Sequence, residues 1–164
     1  MTTFSRHAVL EWNGDVMNGG GQVAAGTSAF AVPATFPSTG GEAAGKTTPE
    51  ELLAASHATC YGIALRSLIG RHGGRARRLT VTATITAEKG PRGIRIQSSH
   101  LRGQVESLEG IDQKQLQQIA QEARERCTIS IALEGTVAIG RPWSPSEDAG
   151  RPARRPRRAL ASSE

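Results

Sequence analysis

The clearest alternation of hydrophobic and polar positions lies at residues 79–87, LTVTATITA, where apolar residues hold the odd positions and Thr the even ones. A period of two residues predicts a β-strand with one buried face. Residues 88–93 contain Gly, Pro and charge and indicate a turn, and residues 94 to about 105 predict the return strand or strands. Between residues 7 and 33, short apolar runs alternate with Asn- and Gly-rich turns, which predicts an antiparallel meander. Residues 35–46 indicate a loop, and residues 136–139 a final strand.

A long helix is predicted to begin after Thr48. Thr48 is a suitable N-cap, Pro49 fits the first helical position, and Glu51 stands where a capping box places its carboxylate. The following fourteen residues, LLAASHATCYGIAL, carry almost no charge, and the helix is expected to end at Gly70 or at residues 73–74. A helix that is apolar on nearly all sides requires burial all round, so we expect a sheet on one side and a second subunit on the other.

A second helix is predicted from Asp112, with Gln115 at the capping-box position. Its apolar residues recur at spacings of three and four and comprise Leu116, Ile119, Ala120, Ala123 and Cys127. A length of 164 residues is typical of one domain, which we assign to residues 1–140.

The basic charge lies mostly in residues 141–164. The net charge is +5, and this segment contains six Arg, three acidic residues and four of the eight Pro. Its composition indicates a disordered Arg/Pro-rich tail. Such Arg runs bind phosphate without sequence preference, but no aromatic stacking platform accompanies them, so we do not expect nucleic-acid binding. The absence of a signal-peptide pattern and of an 18-residue apolar run predicts a cytoplasmic protein without a membrane segment.

The two cysteines, Cys60 and Cys127, are the candidate chemistry. Both fit the interior as small hydrophobic residues, which is the simplest interpretation. A metal site with His57 is a second one, although no CxxC motif supports it, and a structural disulfide is disfavoured in a reducing cytosol. A third is a redox pair, because each cysteine follows or precedes polar residues on an apolar face. In that chemistry one thiolate becomes a sulfenic acid and the second thiol traps it as a disulfide.

Two segments favour the redox interpretation through a resemblance. PEELLAASHATCYGIAL resembles the central-helix signature of the OsmC/Ohr family of thiol peroxidases. RCTIS resembles the second-cysteine motif of that family, written Cys-Pro-(Val/Ile)-Ser, and EWNGD with the Gly-rich turn after it is similar to the OsmC branch. The resemblance spans roughly residues 7–140.

The resemblance implies an α+β fold of the OsmC-like type, in which antiparallel sheets wrap long central helices in an intertwined homodimer. It implies a cysteine-based peroxidase that reduces organic hydroperoxides, and often hydrogen peroxide, in oxidative or osmotic stress defence. Cys60 is then the peroxidatic cysteine, Cys127 the resolving one and Glu50 the active-site glutamate. No bound cofactor or metal is expected, because an external dithiol reductant closes the cycle.

The position of Glu50 adds a geometric constraint. Ten residues separate Glu50 from Cys60, which is about 15 Å along a continuous helix. Either the partner chain supplies one of them to each site or the start of the helix is bent. Taken alone, Glu50 is better explained as a carboxylate that interacts with the helix dipole.

The chain departs from the family pattern at an arginine that pairs with this glutamate. No Arg occurs between Arg6 and Arg66, and the expected position holds Thr39. A nearby positive charge is a common means of lowering a cysteine pKa. Lys46 and protonated His57 are the candidate replacements, and Arg66 and Arg126 are further possibilities. The missing arginine also supports an alternative function, a non-peroxidase protein of this fold that binds a small hydrophobic ligand or senses redox state.

Overall fold

The computed structural model of the chain describes residues 2–36 and 45–135, and the backbone alone at residues 138–139. The expectations about Thr39 and about a disordered tail at residues 141–164 therefore lie outside the described residues. The elements are β1 (Ala8–Asn13), β2 (Gly20–Ala25), β3 (Ala31–Ala34), α1 (Pro49–Arg71), β4 (Arg75–Gly90), β5 (Gly93–Glu109), α2 (Gln113–Arg126), α3 (Thr128–Leu133) and β6 (Ala138–Ile139). This set of elements confirms the α+β prediction.

The N-terminal residues form the predicted antiparallel meander, with strand order β1-β2-β3. The β1–β2 turn is held by Asp15, whose carboxylate accepts hydrogen bonds from the backbone N–H groups of Met17 and Asn18, both at 2.8 Å. Gly14 enters this turn at φ 84°, a conformation that side-chain-bearing residues rarely adopt. An isolated bridge between Ala34 and Thr47 connects the end of this sheet to the start of α1.

Helix α1 begins and ends where its capping residues predict. The Thr48 hydroxyl accepts from the Glu51 N–H at 3.3 Å, and Pro49 occupies the first helical position. The Glu51 carboxylate accepts from the Thr47 hydroxyl at 3.0 Å, so it does not complete the capping box that was predicted. The helix ends before Gly73, which has φ 79°.

Strands β4 and β5 form one long antiparallel hairpin that packs against α1. The observed strands extend beyond the predicted ones at both ends, because backbone pairing continues where charged residues interrupt the alternation of side chains. The turn is correspondingly short and consists of residues 91–92. The alternating Thr of β4 lie on the exposed face, as the period of two predicts.

The C-terminal part contains one helix more than predicted. The capping box of α2 is complete, since Asp112 accepts from the Gln115 N–H and Gln115 accepts from the Asp112 N–H, both at 2.8 Å. Helix α3 then follows α2 across the single residue Cys127. Strand β6 pairs with β5 in parallel, so this sheet is not wholly antiparallel.

The core lies between α1, α2 and the inner face of the β4–β5 hairpin. Its largest fully buried apolar side chains are Tyr61, Leu65, Ile69, Leu101 and Leu116. The Tyr61 hydroxyl donates to the Ala120 carbonyl at 3.2 Å, so its polar atom is satisfied inside the core. This packing fixes α1 against α2 and thereby brings the two cysteines to the same place.

Candidate active site

Cys60 and Cys127 lie side by side at the junction of α1, α2 and α3. Cys60 is partly buried on α1 and packs against the core cluster to which the fully buried Cys127 belongs. No disulfide joins the two cysteines, and each thiol influences the pKa of the other. The fold therefore brings together two sulfur atoms that are 67 residues apart in the sequence.

Local backbone geometry explains the placement of Cys127. Its extended conformation, φ −76° and ψ 113°, interrupts the helical path after Arg126. Its Sγ accepts a hydrogen bond from the Ser130 N–H at 3.4 Å and so caps α3. The Cys127 thiol is thereby held against the first turn of α3.

The Cys60 thiol is surrounded by hydrogen-bond donors. Burial raises its pKa, but donors act against that effect, and the net result is a pKa below the ordinary cysteine value. These donors are the Ile129 N–H, the Cys127 thiol, and the hydroxyl and N–H of Thr128. Each of them stabilises the thiolate, which is the nucleophilic form of cysteine.

The Cys127 thiol experiences the opposite effect. Burial raises its pKa, and the adjacent Cys60 raises it further, which together outweigh the hydrogen bonds from Ser130. When the pKa values of two interacting thiols are displaced in opposite directions, a single proton resides mainly on the thiol with the higher pKa. The pair therefore holds Cys60 as the more ionised sulfur and Cys127 as the protonated neighbour that donates to it.

His57 is completely buried and occupies a polar network of its own. Its Nδ1 lies 2.6 Å from Ser99 Oγ, and its Nε2 lies 2.8 Å from Ser130 Oγ. Burial, and then the positive charge of Arg124, hold the pKa of His57 below its ordinary value. The ring is accordingly neutral, and this arrangement does not supply the positive charge beside Cys60 that the sequence suggested.

The other candidate cations have contacts elsewhere or lie at the surface. Arg66 donates to the Ala76 carbonyl at 2.6 Å, and Arg126 pairs with Glu122 at 2.8 Å. Lys46 is exposed, and it forms no ion pair with any residue in the described ranges. Residues 37–44 contain no Lys or Arg. Within the described part of the chain, the lowered pKa of Cys60 is thus explained by neutral donors of residues 127–129.

Glu50 is not brought to the two cysteines within this chain. It lies in the first turn of α1, about 15 Å from Cys60 along the helix axis. Its Oε2 atom is buried and has no hydrogen-bond partner in the described part of the chain. A buried carboxylate oxygen without a donor is costly, so this atom is suited to a donor from outside the described part of this chain.

Sequence reasoning missed three contributors to the site. Thr128 and Ser130 were visible only as polar neighbours of Cys127, because their contacts depend on α3, which was not predicted. Ser99 had no signal at all, since nothing in the sequence of β5 indicates that its hydroxyl meets His57. Two signals were available: the RCTIS motif contains Thr128 and Ser130, and the spacing of Cys127 and Ser130 is that of a helix cap.

Comparison with known proteins places this geometry in a family. Residues 40–140 match the family described as OsmC-like protein. The chain is 28% identical over 137 residues to "Peroxiredoxin OsmC" of Escherichia coli (strain K12), which covers 84% of this chain and 95% of that protein.

Solved structures agree with the family match. An organic hydroperoxide resistance protein OsmC of Legionella pneumophila superposes with a TM-score of 0.68 at 21% identity, covering 85% of this chain and 96% of that one. The organic hydroperoxide resistance protein OhrB of Bacillus subtilis superposes with a TM-score of 0.63 at 21% identity, covering 83% and 95%. The expected OsmC/Ohr resemblance and the OsmC-like fold are both confirmed.

Proposed function

The chain belongs to the OsmC-like protein family, and on that premise we propose that it is a thiol-dependent peroxidase that reduces organic hydroperoxides. The names of its relatives support this activity, since they include a peroxiredoxin and organic hydroperoxide resistance proteins. Hydrogen peroxide is a possible second substrate. We propose a role in cytoplasmic defence against oxidative or osmotic stress.

One observation carries the proposal: Cys60 packs against the buried cluster that contains Cys127, and the pKa values of the two thiols are displaced in opposite directions. In the first step the Cys60 thiolate attacks the distal oxygen of the hydroperoxide. The S–O bond forms, the O–O bond breaks, and the departing alkoxide takes up a proton to leave as an alcohol. Cys60 is oxidised to a sulfenic acid and the peroxide is reduced.

In the second step Cys127 resolves the sulfenic acid. Its sulfur attacks Cys60, the S–S bond forms, and the S–O bond breaks. The thiol of Cys127 loses its proton, and the departing hydroxide takes up a proton, so the net product is water. A dithiol reductant then reopens the disulfide by exchange, and no bound cofactor is required.

We assign Glu50 to the same reaction through a homodimer. A partner subunit would bring its own Glu50 to Cys60, which agrees with the distance within one chain and with the unpaired Oε2. Lys46, at the exposed approach to α1, is the proposed cation for this carboxylate. Its single ammonium group cannot form the two-point contact of an arginine, so the donors of residues 128 and 129 assume a larger share of thiolate stabilisation.

The test is consumption of an organic hydroperoxide in the presence of a dithiol reductant. We expect turnover by the wild type and no turnover by Cys60→Ser. The Cys127→Ser protein should react with one hydroperoxide and stop at the sulfenic acid. Mass spectrometry after one equivalent of hydroperoxide should detect a Cys60–Cys127 disulfide within one chain. Wild-type turnover no faster than that of Cys60→Ser would exclude the peroxidase function. The alternative of a ligand-binding or redox-sensing protein would then remain.

A further inference from the structure

A chain of three buried polar side chains connects β5 to α3 through α1. His57 lies at its centre, hydrogen-bonded to Ser99 on one side and to Ser130 on the other. The exposed fractions are 0% for His57 and Ser99 and 3% for Ser130. Buried polar groups are costly unless each is hydrogen-bonded, and here both ring nitrogens have a partner. The network is therefore a specific structure within the core rather than polar surface.

This network ends at Cys127. The Ser130 N–H donates to Cys127 Sγ at 3.4 Å, and the Ser130 hydroxyl interacts with the same thiol. Ser130 thus contacts His57 with its oxygen and Cys127 with both its backbone and its side chain. Among the described residues, the charged or titratable groups that act on His57 are Arg124 on α2 and, through Ser130, Cys127 at the N-cap of α3.

A neutral imidazole has one donor nitrogen and one acceptor nitrogen, and their roles exchange between its two tautomers. When Cys127 is ionised, Ser130 can donate its hydroxyl hydrogen to sulfur, provided that His57 Nε2–H donates to Ser130 and Ser99 donates to Nδ1. When Cys127 is protonated, Ser130 can donate to Nε2 and His57 Nδ1–H to Ser99. Each arrangement satisfies all three side chains without charging the ring.

We propose that His57 is a positioning residue for Cys127, which orients the Ser130 hydroxyl towards the sulfur when Cys127 ionises and away from it when Cys127 is protonated. Its kinetic consequence rests on the proposed two-cysteine function, because an ionised Cys127 is the form that attacks the Cys60 sulfenic acid. His57 itself does not touch either sulfur in this assignment. Its effect is on disulfide formation rather than on the attack on peroxide.

The first experiment needs no peroxide. In the Cys60→Ser protein, Cys127 is the single cysteine, and its ionisation is followed by the NMR shift of a ¹³C-labelled Cβ. The tautomer of His57 is followed in parallel by the ¹⁵N shifts of its ring. We expect the tautomer to exchange at the same pH at which Cys127 ionises. A ring that keeps one tautomer throughout the titration of Cys127 overturns the proposal.

Substitutions on the network make the test specific. Ser130→Ala in the same background should shift Cys127 ionisation to a pH higher by about one unit, a tenfold change, and should uncouple the tautomer from it. Ser130→Thr, which keeps the hydroxyl, should restore the coupling. Ser67→Ala removes an exposed hydroxyl of α1 and is the matched control, for which we expect no change.

The second experiment measures the proposed kinetic consequence in the two-cysteine protein. After one equivalent of an organic hydroperoxide, His57→Ala should slow disulfide formation by tenfold or more, and sulfenic acid formation by much less. His57→Gln, whose amide reaches Ser130, should recover part of the loss. Equal slowing of both steps overturns the positioning role. Absence of a wild-type sulfenic acid contradicts the peroxidase function instead, and the NMR titration still decides the role of His57.

Discussion

At the scale of single residues, the hydrogen-bond donors around each sulfur distinguish the two cysteines. Backbone and side-chain donors of residues 127–129 surround Cys60, whereas Cys127 lies in the core with Ser130 as its main donor. A thiolate is stabilised by donors and destabilised by burial, so the same functional group has different acidity at the two positions. The division into attacking and resolving thiols that we propose follows from this difference.

The two thiols should therefore differ in alkylation by iodoacetamide. In Cys127→Ser, which keeps a donor beside Cys60, we expect the rate at Cys60 to reach half its maximum below the ordinary cysteine pKa of about 8.5. In Cys60→Ser, the midpoint for Cys127 should lie above that value. At pH 7, Cys60 should react at least about tenfold faster, by mass spectrometry, since it is both more ionised and more exposed. Equal midpoints would contradict the assignment.

The buried His57 should make the protein sensitive to acid. Its pKa is depressed in the folded state, so below the unfolded value of 6.5 the unfolded chain takes up a proton that the folded chain does not. Stability is therefore unaffected by this group above pH 6.5 and is lost as the pH falls below it, by at most about 1.4 kcal/mol per pH unit.

Urea unfolding at pH 7.5, 6.5 and 5.5, at constant protein concentration, measures this effect. The wild type should lose more stability between pH 6.5 and 5.5 than His57→Gln, which has no titrating ring. His100→Gln, at an exposed position of β5, is the control and should follow the wild type. Parallel curves for wild type and His57→Gln would show that the ring is not held neutral.

At the scale of secondary-structure elements, the short helix α3 determines the site. It follows α2 after one extended residue, so its first N–H groups point at Cys60. The family motif places Pro after the second cysteine, and this chain has Thr128 there. Thr128 adds two donors, a hydroxyl and an N–H, that a proline does not have.

Thr128→Pro should raise the pKa of Cys60 without disrupting the fold. Proline is tolerated at the first helical position, and Cys127 already has the extended conformation, ψ 113°, that a residue before proline prefers. We expect the alkylation midpoint of Cys60 to increase by about one unit, since two donors to the thiolate are lost. Thr128→Ser retains both donors and should behave as the wild type. An unchanged midpoint in Thr128→Pro would exclude Thr128 as a source of the lowered pKa.

The elements with strong local signals were predictable from the sequence, and those defined by tertiary contacts were not. The caps and the apolar run specify α1, the alternation of Thr specifies β4, and the spacing of apolar residues specifies α2. Helix α3 has six residues, two of them Ile and one Thr, which is too short for a period and resembles a strand. The contacts of His57 depend on packing between elements, so its partners were not indicated. The two cysteines were paired only through the family resemblance, because their spacing in the sequence carries no such information.

At the scale of the whole molecule, one chain leaves much apolar surface uncovered. Helix α1 is long and apolar enough, by length and composition alone, to cross a membrane, and 28% of its most apolar stretch is buried. Ile63 on this helix is 68% exposed, and Val9 and Leu10 on β1 are 51% and 56% exposed. In the described ranges, the sheet β1–β3 does not pack on either long helix. A second copy of the chain would cover these surfaces, which supports the proposed homodimer.

A dimer in which each site combines Cys60 of one chain with Glu50 of the other makes a prediction that a single-chain site does not. Glu50→Gln and Cys60→Ser should each abolish or strongly reduce peroxide turnover when prepared alone. In a mixed dimer of the two variants, one site receives both substitutions and the other receives neither. After unfolding and refolding of an equimolar mixture, we expect recovery of about a quarter of wild-type turnover, because half the dimers are mixed and each has one intact site.

The two variants mixed without unfolding are the control, since subunits that have not exchanged should show no recovery. If Glu50 acts on Cys60 of its own chain through a bend in α1, every site in the mixed dimer carries one substitution, and the refolded mixture stays inactive. The helix is continuous from Pro49 to Arg71, which keeps the two residues about 15 Å apart and leaves the partner subunit as the source of the carboxylate. Recovery of activity therefore reports the dimer and the shared site in one measurement.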